Sequence, residues 1–249
     1  MRVAAAPQRP KQALRNALAL LLALAAGRAG ATLVVTAPAG APDALFYRNL
    51  SAMLDSLAQS SDPVIRRLHD AAAAAPGAIR FREMTDDPAT WSSDGDPQRG
   101  HTEPDDGRPK REGRSAPTDA TVFVPPAALE VGSPRWRSGL LVHELVHALD
   151  LASGRYNRDY TVRERRATFM QNLWRHDVGS RLRTSYHGRF ATLDYQVAAA
   201  HGTIAAYANE IFTGAGFPKP PGAPAAASRH SALELRGPSS VARARGEAR

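Results

Sequence analysis

Residues 140–150 read LLVHELVHALD and contain the pattern His-Glu-x-x-His. On a helix, residues four apart lie on one face, so the imidazoles of His143 and His147 can reach the same metal ion. Glu144 lies about 100° further round the helix, where its carboxylate can take a proton from a water molecule on that ion. The stretch therefore predicts a metal site with Glu144 as its general base.

The residues around the pattern favour a metal site over a chance match. Between positions 140 and 152 the polar residues are His143, Glu144, His147 and Asp150. Such an apolar helix is expected to be buried on all sides. A buried glutamate with no lysine or arginine in its helix is costly unless a metal site compensates. The alternative is a core helix whose histidines bind neighbouring groups and whose glutamate reaches solvent.

Composition restricts the kind of site. The chain has no cysteine, so a metal must be held by histidine and carboxylate. Of 32 basic and 24 acidic residues, residues 1–31 carry five and none, and residues 214–249 carry six and two. Residues 32–213 are therefore nearly neutral, which argues against a nucleic-acid partner, since that needs a basic face on the folded domain.

The N-terminus has the features of a secretory signal peptide. Four basic residues precede the apolar run 17–26, and Ala29-Gly30-Ala31 resembles a cleavage site. The run is shorter than the roughly 20 residues of a membrane span. We expect residues 1–31 to be a signal peptide or targeting segment of a secreted protein with no stable membrane insertion. An uncleaved anchor, or a segment read by a bacterial injection apparatus, is the alternative.

The remaining sequence predicts an α+β fold, mostly helical, with a small sheet ahead of the central helix. Short β-branched or alternating runs predict strands at 32–36, 78–84 and 120–124. Helical spacing of apolar residues recurs at 43–57, 61–75, 133–154, 161–181 and 190–212. Ser133-Pro134 is expected to open the central helix and Gly154 to end it. Residues 214–249 are expected to be a disordered basic tail.

Two segments ahead of the central helix carry further expectations. Residues 85–119 are rich in Asp, Gly, Pro and Arg without periodicity, and are expected to be a flexible insert. The strand at 120–124 is expected to form an edge of the cleft, where it can pair with an extended peptide.

A catalytic zinc needs a third protein ligand. The candidates beyond His147 are Asp150, Asp159, Glu164, His176, Asp177, His187, Asp194, His201 and Glu210. Glu164 follows His147 by 17 residues, which leaves room for a turn and a second helix packed back on the first. Glu164 can equally close a capping box that begins at Thr161. Asp150 fits better as a partner that holds an imidazole nitrogen.

Four segments resemble the NleD-type effector zinc metallopeptidases, bacterial proteins that are injected into host cells. They are residues 143–150 (HELVHALD), 164–167 (ERRA), 171–175 (QNLWR) and 183–186 (RTSY). The resemblance covers roughly residues 115–190. It implies a zincin-like fold, Zn²⁺ held by the two histidines and Glu164, and peptide-bond hydrolysis, with host signalling kinases as substrates of some members. The chain differs in having Gln171 where the family tends to have Glu, and in its signal-like start.

Other residues are candidates for supporting roles. Tyr186 and His187 are candidates to bind the oxyanion that forms as a scissile carbonyl becomes tetrahedral. Asn172 and Arg175 are candidates to brace the site. Each of these side chains can instead serve ordinary packing or helix surface.

Three functions remain open from the sequence. The first is a zinc endopeptidase acting on a protein or peptide substrate, with a host protein as one candidate. The second is a zinc hydrolase of non-peptide amides or esters, which would use the same atoms. The third is a non-enzymatic helical binding protein in which the motif is accidental.

Overall fold

The structure is a computed structural model that describes residues 33–35, 45–84, 100–186 and 190–214. The expected signal peptide, the basic tail beyond Gly214 and His187 lie outside these residues. The described part is a mixed α/β structure.

A small sheet precedes the central helix, as predicted, but it has four strands rather than the three expected. Its strands are β1 (Leu33–Val35), β2 (Ile79–Glu83), β3 (His101–Pro104) and β4 (Ala120–Val124), in the order β1-β2-β4-β3. Strands β1, β2 and β4 are parallel, whereas β3 runs antiparallel to β4.

Strand β3 corrects two expectations. It lies within the segment predicted to be a flexible insert, so that prediction is wrong for residues 101–104. It also pairs with β4, which places β4 inside the sheet and makes β3 the outer strand next to it. The pairing with β4 supplies the order that the local sequence lacks.

The two faces of the sheet have different surroundings. Phe81 and Val122 are neighbours on the face that belongs to the hydrophobic core, and Thr102 pairs with Val122 on that same face. Thr121 pairs with Glu103, one position along, and so lies on the opposite face, because side chains alternate along a strand.

The helices confirm most of the predicted periodicity. Helices α1 (Leu45–Ala58) and α2 (Pro63–Ala73) lie between β1 and β2. Helix α2 begins where predicted, because the Asp62 side chain accepts hydrogen bonds from the backbone of Val64 and Ile65.

The second half of the chain supplies the remaining elements. They are α3 (Pro134–Arg137), α4 (Leu140–Ala152), α5 (Tyr160–Asp177), the strands β5 (Ser185–Tyr186) and β6 (Phe190–Ala191), α6 (Asp194–Ala200) and α7 (Ile204–Thr213). Strands β5 and β6 form an antiparallel pair. The two closing helices agree with the periodicity of residues 190–212.

The central helix starts later than predicted. Ser133 does act as an N-cap, but of the one-turn helix α3, and Gly139 then interrupts the helical path with φ of 70°. A Cβ atom at position 139 would lie 2.9 Å from Cδ1 of Trp174. The absence of a side chain therefore lets the junction between α3 and α4 approach α5 closely, a contact that the local sequence does not reveal.

Helix α4 is buried all round, as its composition predicts. Every residue from Leu141 to Ala152 is buried, including the four polar ones. The helix packs against β3 and β4 on one side and against α5 on another. Among the described residues, no helix is long and apolar enough to cross a membrane.

Candidate metal centre and active site

Three side chains converge beside α4. Nε2 of His143 lies 3.2 Å from Nε2 of His147 and 3.1 Å from Oε2 of Glu164. Nε2 of His147 lies 3.5 Å from Oε1 of Glu164. All three residues are buried, and they form the one group of at least three histidine or acidic side chains that can hold a metal ion in the described part of the chain.

The spacing of these atoms fits a metal ion. Donor atoms bonded to one tetrahedral zinc ion at 2.0–2.1 Å lie roughly 3.3 Å from each other. The separation of the two Nε2 atoms is 3.2 Å, and each lies near that value from one carboxylate oxygen of Glu164, 3.1 Å from Oε2 for His143 and 3.5 Å from Oε1 for His147. One ligand atom from each of the three residues lies within 4.8 Å of the other two. Two neutral imidazoles and one carboxylate are also a usual protein ligand set for catalytic zinc. The group can therefore bind a metal ion.

Glu164 reaches the histidines because it does not cap its helix. Helix α5 is capped by Asp159, whose carboxylate accepts hydrogen bonds from the backbone of Thr161 and Val162. The capping box expected from Thr161 does not form, which leaves Glu164 in the second turn and buried against α4. Burial would raise the pKa of Glu164, but the adjacent His147 and His143 outweigh it and hold the pKa well below its usual range.

Asp150 does not hold an imidazole, so that expectation is wrong. Its carboxylate accepts from Arg166, with Oδ1 2.8 Å from Nη2 and Oδ2 3.2 Å from Nε. Arg166 is nearly as buried and also donates to the carbonyl of Ile211 at 2.8 Å. The pair thus ties α4 to α5 and α7, and so helps to fix the two helices that carry the three candidate ligands.

The Nδ1 atoms of the two histidines lack hydrogen-bond partners in the described structure. In most metal sites this nitrogen donates to a carboxylate or carbonyl, which orients the ring. Nδ1 of His143 and Nδ1 of His147 have no hydrogen-bond partner among the described residues. Ring packing orients them instead, with His143 stacked on Tyr186 at 6.0 Å between centroids and His147 edge-on to Tyr156 at 6.2 Å.

Glu144 is buried beside the triad without an ion pair in the described structure. Its pKa is raised to about 7, chiefly by burial, while the neighbouring His143 and Lys110 act in the opposite direction. A carboxylate that exchanges its proton near neutral pH is well suited to general base catalysis. Burial beside His143 and the raised pKa of Glu144 are compatible with the general-base role predicted from the sequence.

Sequence reasoning missed two residues that contact Glu144. The hydroxyl of Thr102 lies 2.9 Å from Oε2 of Glu144 and 3.1 Å from its backbone oxygen. A Cβ atom on Gly100 would lie 3.2 Å from Cγ of Glu144. Both residues belong to the stretch expected to be flexible. The alternation in His-Thr-Glu-Pro is too short to predict a strand, so no sequence signal identified them.

Tyr186 lies next to the three candidate ligands. Besides stacking on His143, its ring lies under the guanidinium of Arg183 at 4.5 Å and edge-on to Tyr160 at 5.9 Å. Burial raises the pKa of Tyr186 well above its usual range, and the negative charge of Glu164 raises it further. The hydroxyl therefore keeps its proton and can donate a hydrogen bond.

Helix α5 holds the chain that leads to Tyr186. The Asn172 side chain donates to the Arg183 carbonyl at 2.8 Å and accepts from the Arg183 backbone N–H at 2.7 Å. The Gln171 amide donates to the Ser138 carbonyl at 2.7 Å, a bond that an ionised glutamate could not make. Arg175 also donates to Ser138. Asn172 therefore braces the site, while Gln171 and Arg175 secure the junction ahead of α4.

Three other acidic candidates for a metal ligand have separate partners. Asp177 accepts hydrogen bonds from Ser60 and Ser61 at 3.1 and 2.8 Å. Asp194 forms an ion pair with Arg165. Asp159 caps α5, as described above. Glu164 is thus the carboxylate that the fold brings to the two histidines.

Comparisons with protein-family models, with curated proteins and with solved structures find no match for this chain.

Proposed function

We propose that this protein is a zinc-dependent endopeptidase with a zincin-like fold. The observation that carries the proposal is the convergence of Glu164, from a second helix, on the two motif histidines beside a buried Glu144. If the His-Glu-x-x-His pattern were accidental, a third donor side chain would not be expected within bonding distance of both histidines. The mixed sheet ahead of the motif helix, with an antiparallel outer strand, gives further support.

Zinc is the proposed ion, held by His143, His147 and Glu164. The absence of thiols and the mixture of two imidazoles with one carboxylate suit catalytic zinc. When bound, zinc acts as a Lewis acid that activates a water molecule and polarises a carbonyl.

Glu144 is the proposed general base and acid. Its carboxylate takes a proton from the attacking water as the new C–O bond forms at the scissile carbonyl carbon. The protonated side chain then delivers that proton to the peptide nitrogen as the C–N bond breaks. A pKa near 7 lets the same group perform both transfers near neutral pH.

Tyr186 is the proposed donor to the oxygen of the scissile carbonyl. Its neutral hydroxyl lies beside the ligand group, and the carbonyl oxygen gains negative charge as the carbon becomes tetrahedral. A preorganised donor at that point lowers the barrier more than it strengthens substrate binding.

The outer strand of the sheet favours a peptide over a small amide or ester. Strand β3 contacts α4 directly and is the last strand in the order of the four-stranded sheet. An extended peptide that lies along this strand would hold a scissile bond beside the catalytic helix. This role falls to β3 rather than to β4, the strand expected from the sequence.

The resemblance to injected effectors and the signal-like start suggest a secreted or injected bacterial protein that cuts a host protein. This destination is part of the proposal and rests on the sequence alone.

Metal analysis and a peptide library test the function together. The purified chain should contain about one zinc per molecule and cut unblocked library peptides at internal bonds. E144Q should retain zinc and lose roughly 10²-fold or more of the rate. Cleavage of small amide or ester substrates alone would favour the non-peptide hydrolase. Absence of zinc binding would favour the non-enzymatic binding protein.

A further inference from the structure

We propose that Thr102 on β3 is a positioning residue that fixes which oxygen of Glu144 moves the proton. The inference rests on the proposed function for its catalytic consequence. The structural part, one preferred orientation of the Glu144 carboxylate, can be tested without any activity.

The geometry around Glu144 is specific. The Thr102 hydroxyl lies 2.9 Å from Oε2, a normal length for an O–H···O hydrogen bond. In the described structure, Oε2 is the side-chain oxygen that has a hydrogen-bond partner, and Oε1 has none. Both residues are buried, with exposed fractions of 2% and 6%, so water competes little for this bond.

The bond persists through the proposed reaction. The Thr102 hydroxyl has one hydrogen and two acceptors within reach, Oε2 of Glu144 at 2.9 Å and the Glu144 backbone oxygen at 3.1 Å. While Glu144 is ionised, the hydrogen goes to Oε2, because that oxygen is nearer and carries the negative charge. When Oε1 has taken a proton from water, Oε2 is the carbonyl oxygen of the acid and still accepts from Thr102. The proton-carrying oxygen therefore keeps one place during uptake and delivery, as general acid–base catalysis requires.

Gly100, two residues before Thr102 in the chain, supports the same conclusion. A Cβ atom there would lie 3.2 Å from Cγ of Glu144 and 3.1 Å from the backbone oxygen of Phe123. The start of β3 thus leaves room for the stem of Glu144 in this orientation and for little more. Together, the contacts of Thr102 and Gly100 with Glu144 restrict the orientation of the proposed general base.

Thr102→Val is the test variant, because valine keeps the shape of threonine and removes its hydroxyl. Thr102→Ser restores the hydroxyl without the methyl group. Thr121→Val is the matched control: Thr121 is also buried and its hydroxyl also donates to a carboxylate, Oδ1 of Asp105 at 2.7 Å, but on the opposite face of the sheet.

The first measurement is the orientation of Glu144 in crystal structures of the full-length, metal-free variants. We expect a single orientation in the wild type, T102S and T121V, and several orientations or a displaced carboxylate in T102V. An unchanged single orientation in T102V overturns the proposal, whether or not the protein has hydrolytic activity.

The second measurement is steady-state kinetics of the zinc-loaded chains. We expect T102V to lose roughly tenfold or more in kcat with KM within about twofold, since a misplaced base loses part of its 10²–10⁴-fold contribution. T102S should recover most of kcat, and T121V should keep it. Equal losses in T102V and T121V, or no rescue by T102S, would show a merely structural role. If the wild type is inactive, the proposed function fails while the orientation of Glu144 still decides the positioning role.

Discussion

Replacing Glu164 with glutamine isolates the contribution of the proposed third ligand to metal binding. The change keeps the size of the side chain and removes the negative charge that lies 3.1 Å from Nε2 of His143 and 3.5 Å from Nε2 of His147. Loss of a residue that only supports a ligand weakens metal binding by about 10–100-fold. Loss of a ligand itself should weaken it by at least ~100-fold.

The magnitude follows from binding linkage. With free zinc at 100 times the wild-type Kd, the wild type gains about 2.7 kcal/mol of unfolding free energy. For a folded region of this size, that gain raises Tm by roughly 5–10 °C. At the same zinc concentration E164Q is at most half saturated, gains no more than about 0.4 kcal/mol, and should shift by only about 1–2 °C.

Thermal unfolding followed by circular dichroism, with free zinc set by a chelator buffer, measures both shifts. Asp159→Asn is the control, because Asp159 also carries a carboxylate at the start of the same helix but caps α5, and asparagine caps a helix as well as aspartate does. D159N should therefore keep the full zinc-induced shift. A full shift in E164Q, or its loss in D159N, would refute the assignment of Glu164 as a ligand.

Three further predictions concern contacts that stabilise the fold. R166M leaves the Asp150 carboxylate buried without its partner and should lower the unfolding free energy by about 3–5 kcal/mol in urea titrations; a loss below about 1 kcal/mol would contradict the pairing. Hydrogen bonds from Arg114 hold the pKa of Asp106 below its usual value, so this bond stabilises the fold above about pH 4 and the contribution is lost as the pH falls below that; urea titrations from pH 5 to 2 should show a shallower loss for D106N than for the wild type. G139A forces a side chain into a left-handed conformation, 2.9 Å from Trp174, and should cost roughly 1–3 kcal/mol; an unchanged Tm would show that the α3–α4 junction can relax.

Local sequence patterns predicted the helices whose burial and ends are determined by nearby residues. The apolar composition of residues 140–152 predicts a buried helix, and Asp62-Pro63 predicts the start of α2. These features depend on spacing, capping and composition within a few residues, which the sequence displays directly. The predicted continuous helix from Ser133 was wrong at Gly139, where the helix is interrupted. The interruption lets the backbone at Gly139 lie close to Trp174, which is more than thirty residues away in the sequence.

The candidate site divides in the same way. One helix carries His143, Glu144 and His147 and fixes their relative positions. The sequence alone therefore determined this arrangement once it predicted a helix there. Glu164 as third donor, the diversion of Asp150 to Arg166, and the contact of Thr102 with Glu144 each join residues from different elements. Only the tertiary structure decided them, because contacts between elements depend on how helices and strands pack. The residues around each of the nine acidic or histidine candidates do not show which one will lie next to His143 and His147.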